Sequence, residues 1–198
     1  MYELICIGAS WGGLHAISRV LEDIPAAVDQ PIAIVQHRSS ESAERALPYL
    51  LRHHTSRPVD DVDDKTPIER ARVYLAPPDY HLLVEPGMFA LSIDERVQHA
   101  RPSIDVLFES AADAYRERVI GVILTGANED GAAGLARIKA RGGVAVIQDP
   151  AAAERRTLPD AALAATVADA VLSLDAIGKF IYGLCVDTAV PERVSRGR

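Results

Sequence analysis

A serine, a histidine and an aspartate, the residue types that together perform acyl transfer, stand at Ser10, His37 and Asp130, each just beyond an apolar run. A serine hydroxyl is a poor nucleophile until a neighbouring imidazole takes its proton, and the imidazole needs a carboxylate to hold its tautomer. Ser10 lies in Gly8-Ala9-Ser10-Trp11-Gly12, the G-x-S-x-G spacing that ends a strand sharply and presents a hydroxyl at a helix N-terminus. Unpaired N–H groups in such a turn can face a developing oxyanion. The same turn also fits phosphate binding or a purely structural role. The order Ser, His, Asp differs from the Ser, Asp, His of α/β-hydrolases, so the spacing does not import that fold.

These residues can meet only if three strand ends share one edge. Leu4-Ile5-Cys6-Ile7 reads as a strand, and Leu14, Ile17, Leu21 and Ile24 form one helical face that Pro25 stops. Pro31-Ile32-Ala33-Ile34-Val35 is continuous, apolar and rich in β-branched residues, as a parallel strand buried on both faces requires, and it runs into Gln36-His37. Functional groups gather at the carboxyl ends of such strands, which puts His37 on the edge of Ser10. Val119 to Leu124 is the most hydrophobic strand candidate and runs into Thr125-Gly126-Ala127-Asn128-Glu129-Asp130-Gly131. A helix with Leu135 and Ile138, stopping at Gly142-Gly143, then precedes the strand Val144 to Ile147 and Gln148-Asp149.

Elsewhere Arg72 to Pro77 reads as a strand, and His81 to Val84 with Phe89 to Ile93 as an antiparallel hairpin about Pro86-Gly87. Ile104, Leu107, Phe108, Ala111 and Tyr115 keep the 3.6-residue period, with Ser103 as cap. A short helix with Leu47, Leu50 and Leu51 is expected after Ser39-Ser40, another over Asp160 to Ala165, a strand at Ala170 to Leu172, and a closing helix over Ile177 to Leu184. His15 lies off its helix's apolar face and is read as solvated, His53-His54 as exposed or favouring a helix dipole. His81 is a minor candidate for lining a cleft, and His99 a lesser one. Asp60, Asp61, Asp63 and Asp64 are read as a solvated loop cluster without EF-hand spacing.

The 198 residues, 48% hydrophobic, suit one α/β domain over 1–190 with a frayed tail over 191–198. The net charge of -7, without a Lys/Arg run, argues against nucleic acid as partner. Cys6 and Cys185 lack the spacing of a zinc or redox motif and are read as buried free thiols. With no signal peptide and no bilayer-spanning run, the chain is expected in the cytoplasm, without membrane insertion.

In several separate motifs the chain resembles one family, the catalytic domain of the chemotaxis protein-glutamate methylesterase, CheB. The motifs are Ile7 to Ser10 with Gly12-Gly13, Val35-Gln36-His37, Val73 to Pro77, Arg101-Pro102-Ser103-Ile104-Asp105 with Leu107-Phe108, Leu124-Thr125-Gly126 with Asp130-Gly131, and Gln148-Asp149. The resemblance implies a doubly wound, mostly parallel sheet flanked by helices, with an antiparallel β-hairpin. It makes Ser10 the nucleophile, His37 the general base and acid, and Asp130 its orienting carboxylate. It points to the Ala127 N–H as oxyanion donor, beside Trp11 from the local turn, and makes Arg101, Ser103 and Asp105 candidates for substrate binding. It implies hydrolysis of γ-glutamyl methyl esters on chemoreceptor-type signalling proteins, with deamidation of receptor glutamines in some members, and neither metal nor cofactor.

Departures fall close to the chemistry. Trp11 stands where the family often has threonine, Ala127 where methionine is common, and Leu158-Pro159 where Met-Pro is usual. With Ser10 so near Met1 there is no room for an N-terminal receiver domain, so a stand-alone esterase with a regulator in trans is expected, or else a cut piece of a longer chain. A silent adaptor of the same fold is the alternative. A dinucleotide-binding domain is disfavoured because the second strand ends in Gln36-His37, where that fold wants an acidic residue.

Overall fold

The computed structural model describes residues 1–37 and 46–186. Strand and helix alternate from the start: β1 (Leu4–Ala9), α1 (Gly13–Glu22) and β2 (Ile32–Gln36). The short α2 (Leu47–Leu51) is followed by β3 (Val59–Asp61), β4 (Val73–Leu75) and the hairpin strands β5 (His81–Glu85) and β6 (Met88–Ser92). Then come α3 (Ile104–Tyr115), β7 (Val119–Ile123), α4 (Ala132–Ala140), β8 (Val144–Gln148), α5 (Thr157–Ala165), β9 (Ala170–Leu172) and α6 (Leu174–Val186).

Among the described residues, seven strands form one sheet in the order β3-β4-β2-β1-β7-β8-β9, every pair parallel, and β5 and β6 form a separate antiparallel hairpin. The two-residue period of the central strand divides its side chains between two cores. Ile5 and Ile7 pack with Ile17 and Leu21 of α1 and Ile177 and Ile181 of α6. Leu4 and Cys6 face the other way, toward Leu107 and Phe108 of α3 and Leu135 and Ile138 of α4. Both faces are thus covered, which is why these strands read as unbroken apolar runs. From β1 the chain steps outward to β2, and from β7 it steps outward in the opposite direction to β8. The strand order therefore reverses between β1 and β7, and a crevice opens at their carboxyl ends.

Three expectations change in detail. Asp60 and Asp61 are not in a loop: they belong to the edge strand β3, where Asp60 pairs with Arg52 at 2.9 Å and Arg72 at 3.0 Å. Exposed charge on a short edge strand discourages pairing with another chain. Helix α5 begins at Thr157, not Asp160, because Pro159 sits in its first turn, where a missing N–H costs nothing. Cys6 is buried, but Cys185 is only half-buried. Burial pushes the Cys6 thiol far up and that of Cys185 up to about 11. Ser39-Ser40 and the expected tail over 191–198 lie outside the described residues. Among the described residues no helix is long and apolar enough to cross a membrane.

Candidate active site

The ends of β1, β2 and β7 are laced together by backbone and amide bonds. The Ser10 N–H donates to the Thr125 carbonyl at 3.0 Å, and the His37 N–H to the Ala9 carbonyl at 3.0 Å. Gln36, the last residue of β2, donates through Nε2 to the carbonyls of Ser10 at 2.7 Å and His37 at 3.0 Å. Gln148, the last residue of β8, accepts the Thr125 N–H at Oε1, 2.8 Å away. Gly126 allows this closeness: a Cβ there would lie 2.8 Å from Leu158 Cδ2 and 3.0 Å from the Ser10 Cβ. Ser10 and His37 are therefore held by their backbones on adjacent strands.

Asp130 enters from the loop between β7 and α4 and is fully buried. Its Oδ2 lies 2.7 Å from His37 Nε2 and accepts the Ile104 N–H at 2.7 Å. Its Oδ1 accepts the Ser103 hydroxyl at 2.7 Å and the Asp105 N–H at 3.1 Å. Burial alone would push this carboxyl up, but bonds from His37, Ser103 and Ile104 outweigh it and hold the group below the usual carboxylate range. A carboxylate on the first N–H groups of α3 also meets the positive end of that helix. The ionised Asp130 thus demands the proton of a neutral His37 ring on Nε2, leaving a lone pair on Nδ1.

Ser103 and Asp105 lie behind Asp130, buried. The Ser103 hydroxyl accepts the Val106 N–H at 3.4 Å as the cap of α3. Asp105 Oδ1 accepts the N–H groups of Gly131 at 2.9 Å and Gly134 at 2.7 Å, and Oδ2 accepts Gln98 Nε2 at 3.0 Å. Gly134 is required for this contact, since a Cβ there would lie 2.6 Å from Phe108 Cβ and 3.0 Å from the Asp105 Cα. His81 is buried rather than open to a cleft: its Nδ1 accepts the Ser103 N–H at 3.2 Å, and Nε2 lies 3.0 Å from the Glu95 carbonyl. Arg101 is the outermost of the three substrate-binding candidates, donating through Nη1 to the carbonyls of Ile93 and Asp94.

A cleft of about 390 Å³ opens in front of these groups, lined by Ser10, His37, Arg96, His99, Arg101 and Asn128 among others. His99, the weaker histidine candidate, faces the cleft. On one side of the cleft Asn128 Nδ2 lies 2.7 Å from His37 Nδ1. Among the described residues neither the Trp11 N–H nor the Ala127 N–H donates a hydrogen bond. The Trp11 indole is 59% exposed, donates to Glu154 Oε1 at 2.9 Å, and carries the Arg155 guanidinium 5.4 Å from its ring centroid. Among the described residues there is no group of three His, Cys, Asp or Glu side chains that could hold a metal ion. A nucleophile-type hydroxyl, an imidazole on a buried carboxylate and two free backbone donors are the parts acyl transfer uses.

The model of the CheB methylesterase family matches residues 5–181. The chain belongs to the CheB methylesterase family. It is 46% identical over 184 residues to a Leptospira interrogans protein provisionally named protein-glutamate methylesterase/protein-glutamine glutaminase, covering 92% of this chain and 95% of that one. It is 39% identical over 178 residues to the protein-glutamate methylesterase FrzG of Myxococcus xanthus, covering 89% of this chain but 53% of that protein. The CheB methylesterase catalytic domain of Thermotoga maritima, a crystal structure, superposes with a TM-score of 0.88 at 26% identity, over 93% of this chain and 99% of that one. The doubly wound sheet with its separate hairpin is the fold of that CheB domain.

Within this CheB fold the amides of Gln36, Gln148 and Asn128 make bonds that no motif in the sequence signals. Gln36 and Gln148 were visible as the residues ending β2 and β8, yet a glutamine at a strand end carries no signature of its bond. Asn128 had one usable signal, its place two residues before Asp130 in a loop that follows a strand.

Proposed function

We propose that the chain is a serine esterase that hydrolyses γ-glutamyl methyl esters on chemoreceptor-type signalling proteins in the cytoplasm, and deamidates glutamines at the same positions. The observation that carries this reading is the 2.7 Å approach of His37 Nε2 to the buried Asp130, which leaves a lone pair on Nδ1 of a ring that lines the same cleft as Ser10. In the acylation step the Ser10 Oγ–H proton passes to His37 Nδ1 as Oγ bonds to the ester carbonyl carbon. The oxyanion is met by the Trp11 and Ala127 N–H groups, unbonded within the described chain. Collapse breaks the bond to methoxide, which takes the proton from Nδ1 and leaves as methanol. Water then gives one proton to Nδ1 as its oxygen bonds to the acyl carbon; the C–Oγ bond breaks as Nδ1 returns that proton to Ser10 Oγ, and the glutamic acid released loses its own proton to solvent.

In this reading Asp130 keeps the His37 proton on Nε2 and stabilises the imidazolium. Ser103 and Asp105 are assigned to holding Asp130 and its loop rather than to binding substrate, because their polar groups are buried and already bonded. Arg101 keeps a substrate-binding role because it lines the cleft. Methanol release from a methylated chemoreceptor signalling domain tests the reaction. The wild type should release methanol at a rate that Ser10→Ala abolishes; no release by folded wild type overturns the reading.

A further inference from the structure

Asn128 makes a contact that the acylation step cannot tolerate. Its Nδ2 lies 2.7 Å from His37 Nδ1, the atom assigned to receive the Ser10 proton. The orientation follows from the charge on Asp130. That carboxylate holds the ring proton on Nε2, so Nδ1 bears a lone pair, and the partner suited to it is an N–H rather than a carbonyl oxygen. The amide's own Oδ1 is buried and has no hydrogen-bond partner among the described residues. One neutral hydrogen bond therefore sets the side chain's orientation, and Asn128 lines the cleft that a substrate must enter.

We propose that Asn128 is a positioning latch on the base: in the empty site its amide N–H occupies the Nδ1 lone pair, and Ser10 is activated only when that amide turns away. The proposal rests on the esterase reading above and deepens it. Nδ1 has a single in-plane lone pair, so it cannot accept from Asn128 and take the Ser10 proton together. Substrate entering the cleft displaces a side chain held by one bond, and activation of the nucleophile becomes coupled to occupancy. The latch also holds the His37 ring in the tautomer and plane that the reaction needs.

Two measurements test it. In the ¹⁵N-labelled wild type, a coupling across the hydrogen bond between Asn128 Nδ2 and His37 Nδ1 is expected, with the ring proton on Nε2. No coupling, or a proton on Nδ1 at neutral pH, overturns the latch without any variant. In Asn128→Ala, phosphonylation of Ser10 by a small fluorophosphonate should be about fivefold faster, the equivalent of one neutral hydrogen bond. The His37 Nδ1 resonance should also move downfield. An unchanged or slower rate, or an unmoved resonance, overturns the proposal. His37→Ala separates the two readings: if it labels as fast as the wild type, the esterase reading itself fails, whereas loss of labelling there with no acceleration in Asn128→Ala removes the latch alone.

Discussion

Asp105 and Asp130 cap each other's helices. Asp130, just before α4, accepts the N–H groups of Ile104 and Asp105 at the start of α3. Asp105, in the first turn of α3, accepts those of Gly131 and Gly134 at the start of α4. Each carboxylate meets the positive end of the other's helix and satisfies donors that would otherwise be orphaned. The bond between Asp130 and His37 is one arm of this crosswise arrangement, so the orientation of the His37 ring is tied to the packing of two helices.

The two aspartates should respond to pH in opposite senses. Burial, reinforced by the charge of Asp130, raises Asp105 to about 6 against the opposing pull of the Gly134 and Gly131 N–H groups. The folded protein therefore binds a proton between about pH 4 and 6 that the unfolded chain does not, and this contribution to stability falls as pH rises through that window, by at most about 3 kcal/mol. Asp130, held low, contributes stability that is present above the ordinary carboxylate value and lost as pH falls through its lowered one. Urea unfolding of the wild type and Asp105→Asn at pH 4.5 and 7, one inside and one above that window, should show the variant less stable relative to the wild type at the lower pH. Parallel shifts at both would remove Asp105 from this role.

Asp130→Asn should lower turnover by roughly 10⁴-fold, as triad carboxylates do. It should also lower stability by about 1–3 kcal/mol. Each Asp130 oxygen accepts two donors, so an amide NH₂ in either place sets donor against donor. The kcat on methylated substrate and the urea midpoint together check this, and an unchanged kcat would take Asp130 out of the mechanism.

Gly126→Ala should damage activity more than stability. The added Cβ would press on Leu158 and the Ser10 Cβ, an overpacking cost of about 1–3 kcal/mol, and relief by moving Ser10 withdraws the nucleophile. A drop in kcat of tenfold or more with KM unchanged is expected; wild-type kcat would show that the turn has slack.

Trp11→Ala should separate binding from chemistry. The ring is largely exposed and touches only Glu154 and Arg155 among the contacts described above, so stability should change by less than about 0.5 kcal/mol. KM for a receptor domain should rise while hydrolysis of a small ester stays near wild type. Equal losses on both substrates would place the Trp11 ring, and not only its backbone N–H, in the chemistry.

How much of this could be read from residues alone depended on the kind of signal each part carries. The strands under Ser10, His37 and Asp130 are buried on both faces and announce themselves as apolar runs, so the shared edge was predictable. β3 was not, because three residues of which two are aspartates have no apolar pattern. The start of α5 was obscured by Pro159, which punctuates most helices but fits a first turn. Ser103 was legible as a cap, but its hydroxyl's bond to Asp130 spans 27 positions in the chain. Asp105 drew attention through its motif, while its partners became evident only when α3 and α4 met at Gly134. The Asn128 contact joins loops 91 positions apart and depends on ring orientation, which no sequence spacing encodes.

In the proposed reaction Ser10 is a nucleophile activated by His37. The most direct test is peptide-mapped mass spectrometry after treating the folded wild type, Ser10→Ala and His37→Ala with a fluorophosphonate. One adduct is expected, on Ser10 of the wild type, with none in Ser10→Ala and strongly slowed labelling in His37→Ala. A folded wild type that stays unmodified, or an adduct that persists in Ser10→Ala, would contradict it.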